Sequence, residues 1–351
     1  MKAGILYNDR DIRPGDAPDP RVKADEILIE TAYAGICGTD LHVYRGEFHE
    51  RVTCPAILGH EFGGIVQEVG QDVKAFQVGD RVVVDPIISC HACPACLSGH
   101  LNACRTLKLL GIDLDGGFGQ YVAAPVSHVY RLPDSIPMAY APMVEMYGLG
   151  HHVLQRGQVQ PGEVVAILGA GKLGLSVLDV LCHSANATTT IVTDLQSFRL
   201  ETARKLGAEY VIDITQEDPV ERVMEITQGT GVDCVIEAVG HYHLAERRGA
   251  PLAQAVKMIR TAGRVVTAGL GEQLSAVHFK TLVIKEAQII ASRVTLGEFP
   301  RALRLMAKGL LHPELLVTHQ VAMQDVTAAF EQVDRDEPST LKVVLDVKKV
   351  V

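Results

Sequence analysis

No stretch of this sequence could span a bilayer as a helix. Lys, Gly or His interrupts each of its longest apolar runs. Positive charge is not in surplus either: the formal net charge is −9. An acidic surface disfavours non-specific contact with nucleic acid or membrane, because both are anionic. Pro, Gly and Ser never accumulate into a low-complexity run, and no internal repeat is present. The opening residues MKAGILYNDRDIR meet charge too early for a signal peptide. These absences lead us to expect a cytoplasmic protein whose partners are small molecules, with no nucleic acid and no membrane. What is there is a chain of 351 residues, 47% hydrophobic and 21% charged, enough for two domains with real cores.

Eight cysteines are present. Four fall in SCHACPACLSGHLNAC: Cys90, Cys93, Cys96 and Cys104, spaced C-x2-C-x2-C-x7-C. Disulfides rarely persist in reducing cytosol, and thiols this close in sequence are poorly placed to bridge each other. Four thiolates suit a tetrahedral zinc; an iron–sulfur cluster is the competing occupant of four Cys. A closed all-Cys shell leaves no position for substrate, so the chemistry is expected elsewhere. Cys54, Cys182 and Cys234 have no ligand pattern around them and read as small core residues.

The first third of the chain consists of short apolar runs punctuated by Gly and Asp, such as EILIETAYAGICG and DRVVVDPI. It predicts a β-rich domain. From residue 163 the pattern becomes strand–helix alternation, which implies right-handed βαβ units and a parallel sheet. After about residue 290 the helix FPRALRLMAKGLL, the strand LVTHQVAM, the helix VTAAFEQVDRD and the strand TLKVVLDV are expected to return to the first domain. The expected divisions are 1–147, 148–288 and 289–351.

Within the alternating part, GAGKLG supplies Gly169, Gly171 and Gly174, with Leu173 among them, after an apolar strand and at the start of a helix. In that context the three glycines allow a tight turn, a close approach of backbone to pyrophosphate, and helix-on-strand packing. The helix N-terminus favours the phosphate charge. Asp194 ends the next strand, 20 residues after Gly174. An acid there takes both hydroxyls of an adenosine ribose and repels a 2′-phosphate, which predicts NAD over NADP. Arg199 lies close enough in sequence to blur that choice.

A second metal site is suggested by GICGTDLH and GHEFGGIVQEVG, which offer Cys37 and His60. A catalytic zinc needs about three protein ligands and an exchangeable position. Glu61 and Glu145 are both candidates for the third ligand.

Together these segments carry a resemblance. GHEFGGIVQEVG, GICGTDLH, the Cys quartet, GAGKLGL and VIEAVG follow in the order, and at nearly the spacings, of the zinc-dependent medium-chain alcohol dehydrogenase superfamily. Within it the chain is most similar to the polyol, sugar-acid and threonine dehydrogenase branch. The resemblance implies an α/β protein. A GroES-like β-rich catalytic domain, made from both ends of the chain, would flank a Rossmann doubly wound parallel-sheet domain. It implies two zinc ions (Zn2+) per chain: a structural one on the quartet, and a catalytic one among Cys37, His60 and Glu145 with Glu61 as an exchanging ligand. Asp40 would hydrogen-bond His60 and raise its basicity. The Met146 after Glu145 departs from the Glu-Pro common in relatives, and the segment 240–258 is several residues longer than usual.

The implied reaction is reversible oxidation of a secondary alcohol to a ketone, with zinc as Lewis acid and hydride transfer to NAD. Thr39 would contact the reacting oxygen and His42 would pass its proton to solvent, with an N-cap as the alternative role for Thr39. Tyr44, Phe118 and Arg293 correspond to pocket positions, and the guanidinium of Arg293 favours a polyol or a sugar acid. L-threonine 3-dehydrogenation, a non-catalytic NAD- and zinc-binding role and a zinc-based redox sensor are the alternatives. A homodimer or homotetramer is expected from relatives.

Overall fold

The computed structural model describes residues 1–47, 50–184, 189–240, 250–271 and 274–348. The chain divides into two compact units. One comprises Met1–Met146, Thr295–Lys308 and the chain from Val317 onward; the other comprises Tyr147–Val294 and Gly309–Leu316.

The first unit is built on a sheet whose main path runs Val129–Arg131, Arg81–Val84, Glu61–Val69, Glu26–Gly35, Lys342–Asp346, Val317–Ala322. Tyr121–Pro125 also pairs with Glu26–Gly35. EILIETAYAG, the central strand, is buried at seven of its ten positions, so its apolar residues pack on both faces. The strand Lys342–Asp346, at the far end of the sequence, is wholly buried beside it. The tail therefore supplies a core strand of the first unit, as its apolar pattern predicts. A smaller sheet of Asp11–Asp16, Lys2–Asn8 and Ala56–Ile57 completes the β-rich part.

The second unit holds a six-stranded parallel sheet in the order Tyr210–Asp213, Thr189–Asp194, Val164–Leu168, Val232–Glu237, Ile259–Thr267, Gln288–Ala291. This is the doubly wound order with its reversal between Val164–Leu168 and Val232–Glu237, where such sheets bind ligands at their carboxyl ends. The central strand Val164–Leu168 is a continuous apolar run, and Val232–Glu237 beside it buries all but Asp233, as strands buried on both faces do. Ala166, Ile191, Val235, Val256 and Val265 form the heart of the core.

Two expected boundaries move. The parallel sheet does not stop at 288: Gln288–Ala291 is its sixth strand, pairing Arg264 with Gln288 through Thr267 with Ala291. Its side chains are mostly exposed, Ile289 among them. The short segment Gly309–Leu316 also belongs to the second unit rather than to the returning tail. In the expected long segment 240–258, residues 241–249 lie outside the described residues, and Pro251–Met258 is a helix. Among the described residues no helix is long and apolar enough to cross a membrane.

Candidate metal centres and nucleotide turn

Backbone register builds the first metal centre. In the antiparallel ladder Gly35 stands opposite Glu61, which brings the end of one strand, at Cys37, beside the start of the other, at His60. Cys37 is the N-cap of the helix Gly38–Tyr44. Its N–H donates to Asp40 Oδ2 at 2.7 Å, a capping-box contact that fixes Asp40. The other oxygen, Asp40 Oδ1, is then 3.4 Å from His60 Nδ1. Asp40, His60 and Glu61 are all buried. Ligand atoms of Cys37, His60 and Glu61 lie within 4.8 Å of one another.

Electrostatics follow from that burial. Burial alone would lower the His60 pKa, but the negative charges of Asp40 and Cys37 hold it well above the ordinary value. Lys342 is also fully buried, forming an ion pair with Glu61 and donating to the Ile36 carbonyl at 3.3 Å. Burial opposes its charge, and Glu61 and Cys37 outweigh that, raising its pKa. The pKa of Glu145 is pushed up to about 7, first by burial and then by the charge of Glu61. Glu145 thus faces the centre but stands outside the close set, which takes Glu61 instead. Glu61 Oε1 is buried with no hydrogen-bond partner among the described residues, and His60 turns Nδ1 toward Asp40. A thiolate, an imidazole and a buried carboxylate with an unsatisfied oxygen suit a zinc ion.

The second centre is the quartet. Cys90, Cys93, Cys96 and Cys104 bring their sulfurs within 4.8 Å of one another, and all eight cysteines are free thiols. Cys93 caps the four-residue helix Pro94–Leu97, which turns Cys96 back toward it. The Cys90 N–H donates to Cys104 Sγ at 3.3 Å and the Cys93 N–H donates to Cys90 Sγ at 3.4 Å. Backbone N–H groups of Ala92 and Cys93 lower the Cys90 pKa to about 6, while burial pushes Cys96 up to about 12. Four convergent thiols, with backbone donors on their sulfurs, fit a closed tetrahedral zinc shell.

In the second unit, Gly169 adopts φ +92°, and a side chain at Gly174 would place its Cβ 1.8 Å from the Gly169 carbonyl oxygen. No atom lies within 4 Å of where a Gly171 Cβ would sit, so the backbone there is open to an incoming group. Lys172–Ser184 is the helix that follows, with Leu173 in its first turn. Asp194 is buried at the end of its strand. Its Oδ2 accepts from the Ala170 N–H at 2.7 Å and its Oδ1 from the Gln196 N–H at 2.9 Å. The turn and the acid are therefore locked together, as a dinucleotide site requires. Arg199 is half-buried on the helix Ser197–Lys205.

Comparison with known proteins agrees with this geometry. Residues 23–134 match the alcohol dehydrogenase GroES-like domain and residues 173–308 the zinc-binding dehydrogenase domain. Sorbitol dehydrogenase of Bacillus subtilis is 34% identical over 349 residues, 98% of this chain and 97% of its own. The chain belongs to the zinc-dependent medium-chain alcohol dehydrogenase superfamily. It is an oxidoreductase of the alcohol and polyol dehydrogenase type. L-threonine 3-dehydrogenase of Pyrococcus abyssi is 37% identical over 310 residues, covering 86% of this chain and 85% of its own. The NADH complex of the alcohol dehydrogenase rspB from Escherichia coli CFT073 superposes with a TM-score of 0.91 at 32% identity, over 99% of each chain.

The remaining expected residues of this dehydrogenase divide. Thr39 and His42 sit three apart on the helix Gly38–Tyr44, hence on one face. The N-cap is Cys37, so Thr39 does not fill that role and occupies the first turn instead. His42 is buried, and its Nδ1 contacts Glu47, an acid that the sequence did not single out because nothing in its spacing marks it. Tyr44 and Phe118 are core residues of the first unit. Tyr44 packs on Phe330 at 5.2 Å, and Phe118, fully buried, meets the same ring edge-on at 5.9 Å. Their packing is that of buried aromatic residues, and Phe118 also lies against Gly59, next to His60. Arg293 is exposed, just beyond the strand Gln288–Ala291 of the second unit. Lys342 was also missed, since a lone Lys in a strand reads as a surface position.

Proposed function

We propose that this enzyme is an NAD-dependent, two-zinc dehydrogenase that reversibly oxidises a secondary alcohol of a polyol or sugar acid to a ketone. The observation that carries it is the close set Cys37, His60 and Glu61, with Asp40 behind His60. These residues would hold a zinc ion that would supply Lewis acidity toward a substrate hydroxyl, with NAD as the hydride acceptor. Asp40 faces His60 Nδ1 and so orients the ring, leaving Nε2 for the metal. Thr39 Oγ1 would accept the hydroxyl proton while its own Oγ–H proton passes on toward His42. His42 carries it onward, and its Nδ1 contact with the part-exposed Glu47 leads it to solvent. Glu145 remains the alternative carboxylate ligand.

Asp194 supports NAD. Held by two backbone N–H groups, it stays in place to accept ribose hydroxyls and to repel a 2′-phosphate. Arg293 supports a substrate with vicinal hydroxyls or a carboxylate. The carboxylate option also favours threonine as a second reading, in line with the Pyrococcus abyssi relative. Eight free thiols suit a reducing cytoplasm. Assembly as a homodimer or homotetramer completes the proposal.

The test is NADH formation by metal-quantified protein on alditols, inositols, aldonic acids, threonine, butanediol and a simple alkanol. Cys37→Ala and Asp194→Gly are run alongside. Turnover of hydroxylated sugars or acids, lost in Cys37→Ala, is the expected result. Asp194→Gly is expected to move the NADP-to-NAD preference by about tenfold, or ~1.4 kcal/mol. Turnover of threonine alone promotes the second reading. Inertness toward the whole panel sinks the polyol assignment.

A further inference from the structure

The second unit brings together three side chains that neither metal centre nor the nucleotide turn uses. Asp179 and His183 lie four residues apart, on one face of the helix Lys172–Ser184. His312 immediately precedes the short helix Pro313–Leu316. One ligand atom from each lies within 4.8 Å of the others. Asp179 is fully buried, whereas the imidazoles are 29% and 34% exposed, so the cluster opens to solvent on its histidine side.

Asp179 is held in a particular way. Its Oδ2 accepts from the Tyr147 hydroxyl at 2.8 Å and from the His312 N–H at 2.7 Å. Burial, and then the neighbouring Asp179 charge, hold the Tyr147 pKa well above its ordinary value, so the phenol stays a donor. Both imidazoles are left to the other oxygen: His183 Nδ1 is 3.1 Å and His312 Nδ1 3.0 Å from Asp179 Oδ1. The rings are 4.7 Å apart and tilted by 54°, so they converge rather than stack flat.

We propose that Asp179, His183 and His312 bind a zinc ion, apart from the two cysteine-containing centres. Zinc–nitrogen and zinc–oxygen bonds of about 2.0–2.1 Å set tetrahedral edges of roughly 3.3 Å, close to the two observed oxygen–nitrogen separations. Two neutral imidazoles and one carboxylate are an ordinary donor set for a divalent ion. The carboxylate's second oxygen already has the outer hydrogen bonds that ligating carboxylates keep. Water fills the fourth position from the exposed side. Binding displaces any proton on either Nδ1 and exchanges the 2.9 Å hydrogen bond from His183 Nδ1 to the Asp179 carbonyl for a coordinate bond. The ion then ties residues 309–316 to the helix that follows the glycine turn.

The experiment compares purified enzyme with His183→Ala and His312→Ala after dialysis against micromolar Zn2+ and removal of free metal. Zinc per chain is measured by mass spectrometry, and dehydrogenase turnover on the substrate identified above is measured in parallel. The expected result is one zinc fewer per chain in each variant, with turnover unchanged. Equal zinc in all three proteins overturns the proposal. The count is a difference, so it stands or falls independently of the two-zinc reading of the cysteine centres. Cobalt titration of the unmutated enzyme gives a second readout should a variant fail to fold. A cobalt equivalent bound without thiolate-to-metal charge transfer supports the site, and its absence overturns it.

Discussion

At the scale of single residues, the first metal centre holds an unusual concentration of buried charge. Lys342 and Glu61 form an ion pair with neither side chain accessible. Removing one partner of such a pair strands the other, typically at about 3–5 kcal/mol. Lys342→Met should therefore lower the stability of metal-free protein by about that much in urea denaturation, and adding Glu61→Gln should restore a large part of it. Asp85 is a different case. Burial raises its pKa from 3.8 to about 6, with the Ile87 N–H hydrogen bond opposing this. Below pH 4 the carboxyl is protonated in both folded and unfolded chains. Between pH 4 and 6 the unfolded chain ionises first, so stability falls as pH rises, and above 6 the loss is complete. Two pH units at about 1.4 kcal/mol each correspond to roughly 3 kcal/mol. Asp85→Asn should flatten that fall in denaturation curves taken from pH 4 to 7.

At the scale of elements, legibility tracked how far a function depends on local spacing. The Cys quartet and the glycine turn each lie within one short stretch, so their residue types and intervals show in the sequence. Cys37 and His60 stood out by residue type, but only the Gly35–Glu61 register explains why they meet. Lys342 is 281 positions from Glu61 by numbering, and His312 is 133 from Asp179, so no local pattern could join either pair. The strand Gln288–Ala291 escaped for another reason: with only four residues, its Ile-Ile-Ala run reads equally as the start of the returning tail. The quartet loop carries its own prediction. Its elements are all short, the four-residue helix Pro94–Leu97, the 3-10 helix Leu101–Ala103 and a hairpin of Ile87–Ile88 and Lys108–Leu109, so its order rests on the metal. Cys93→Ser combined with Cys104→Ser should lower bound zinc by one per chain and open this loop to limited proteolysis. Cuts mapped elsewhere would argue against a structural role for that ion.

At the scale of the whole molecule, one surface stands out. Phe279, Val283 and Ile284 of the helix Phe279–Lys285 are 66–76% exposed, beside the edge strand Gln288–Ala291, where Ile289 is also exposed. An apolar patch next to open strand hydrogen-bonding groups is a surface that a second copy can cover. If a second copy covers this face, Val283→Asp should lower the sedimentation coefficient; an unchanged value would mean that this face is not a subunit contact.

The chain also passes between its two units four times, at 146/147, 294/295, 308/309 and 316/317. During synthesis, residues 1–146 leave the ribosome with the edge of Glu26–Gly35 open at Tyr33–Gly35. Lys342–Asp346, which pairs with that edge, follows some two hundred residues later. Until it arrives, Glu61 has no buried cation to face. The first unit must therefore wait as an incomplete sheet while some two hundred residues are translated, and a nascent chain stalled anywhere before residue 342 is exposed to aggregation through that open edge.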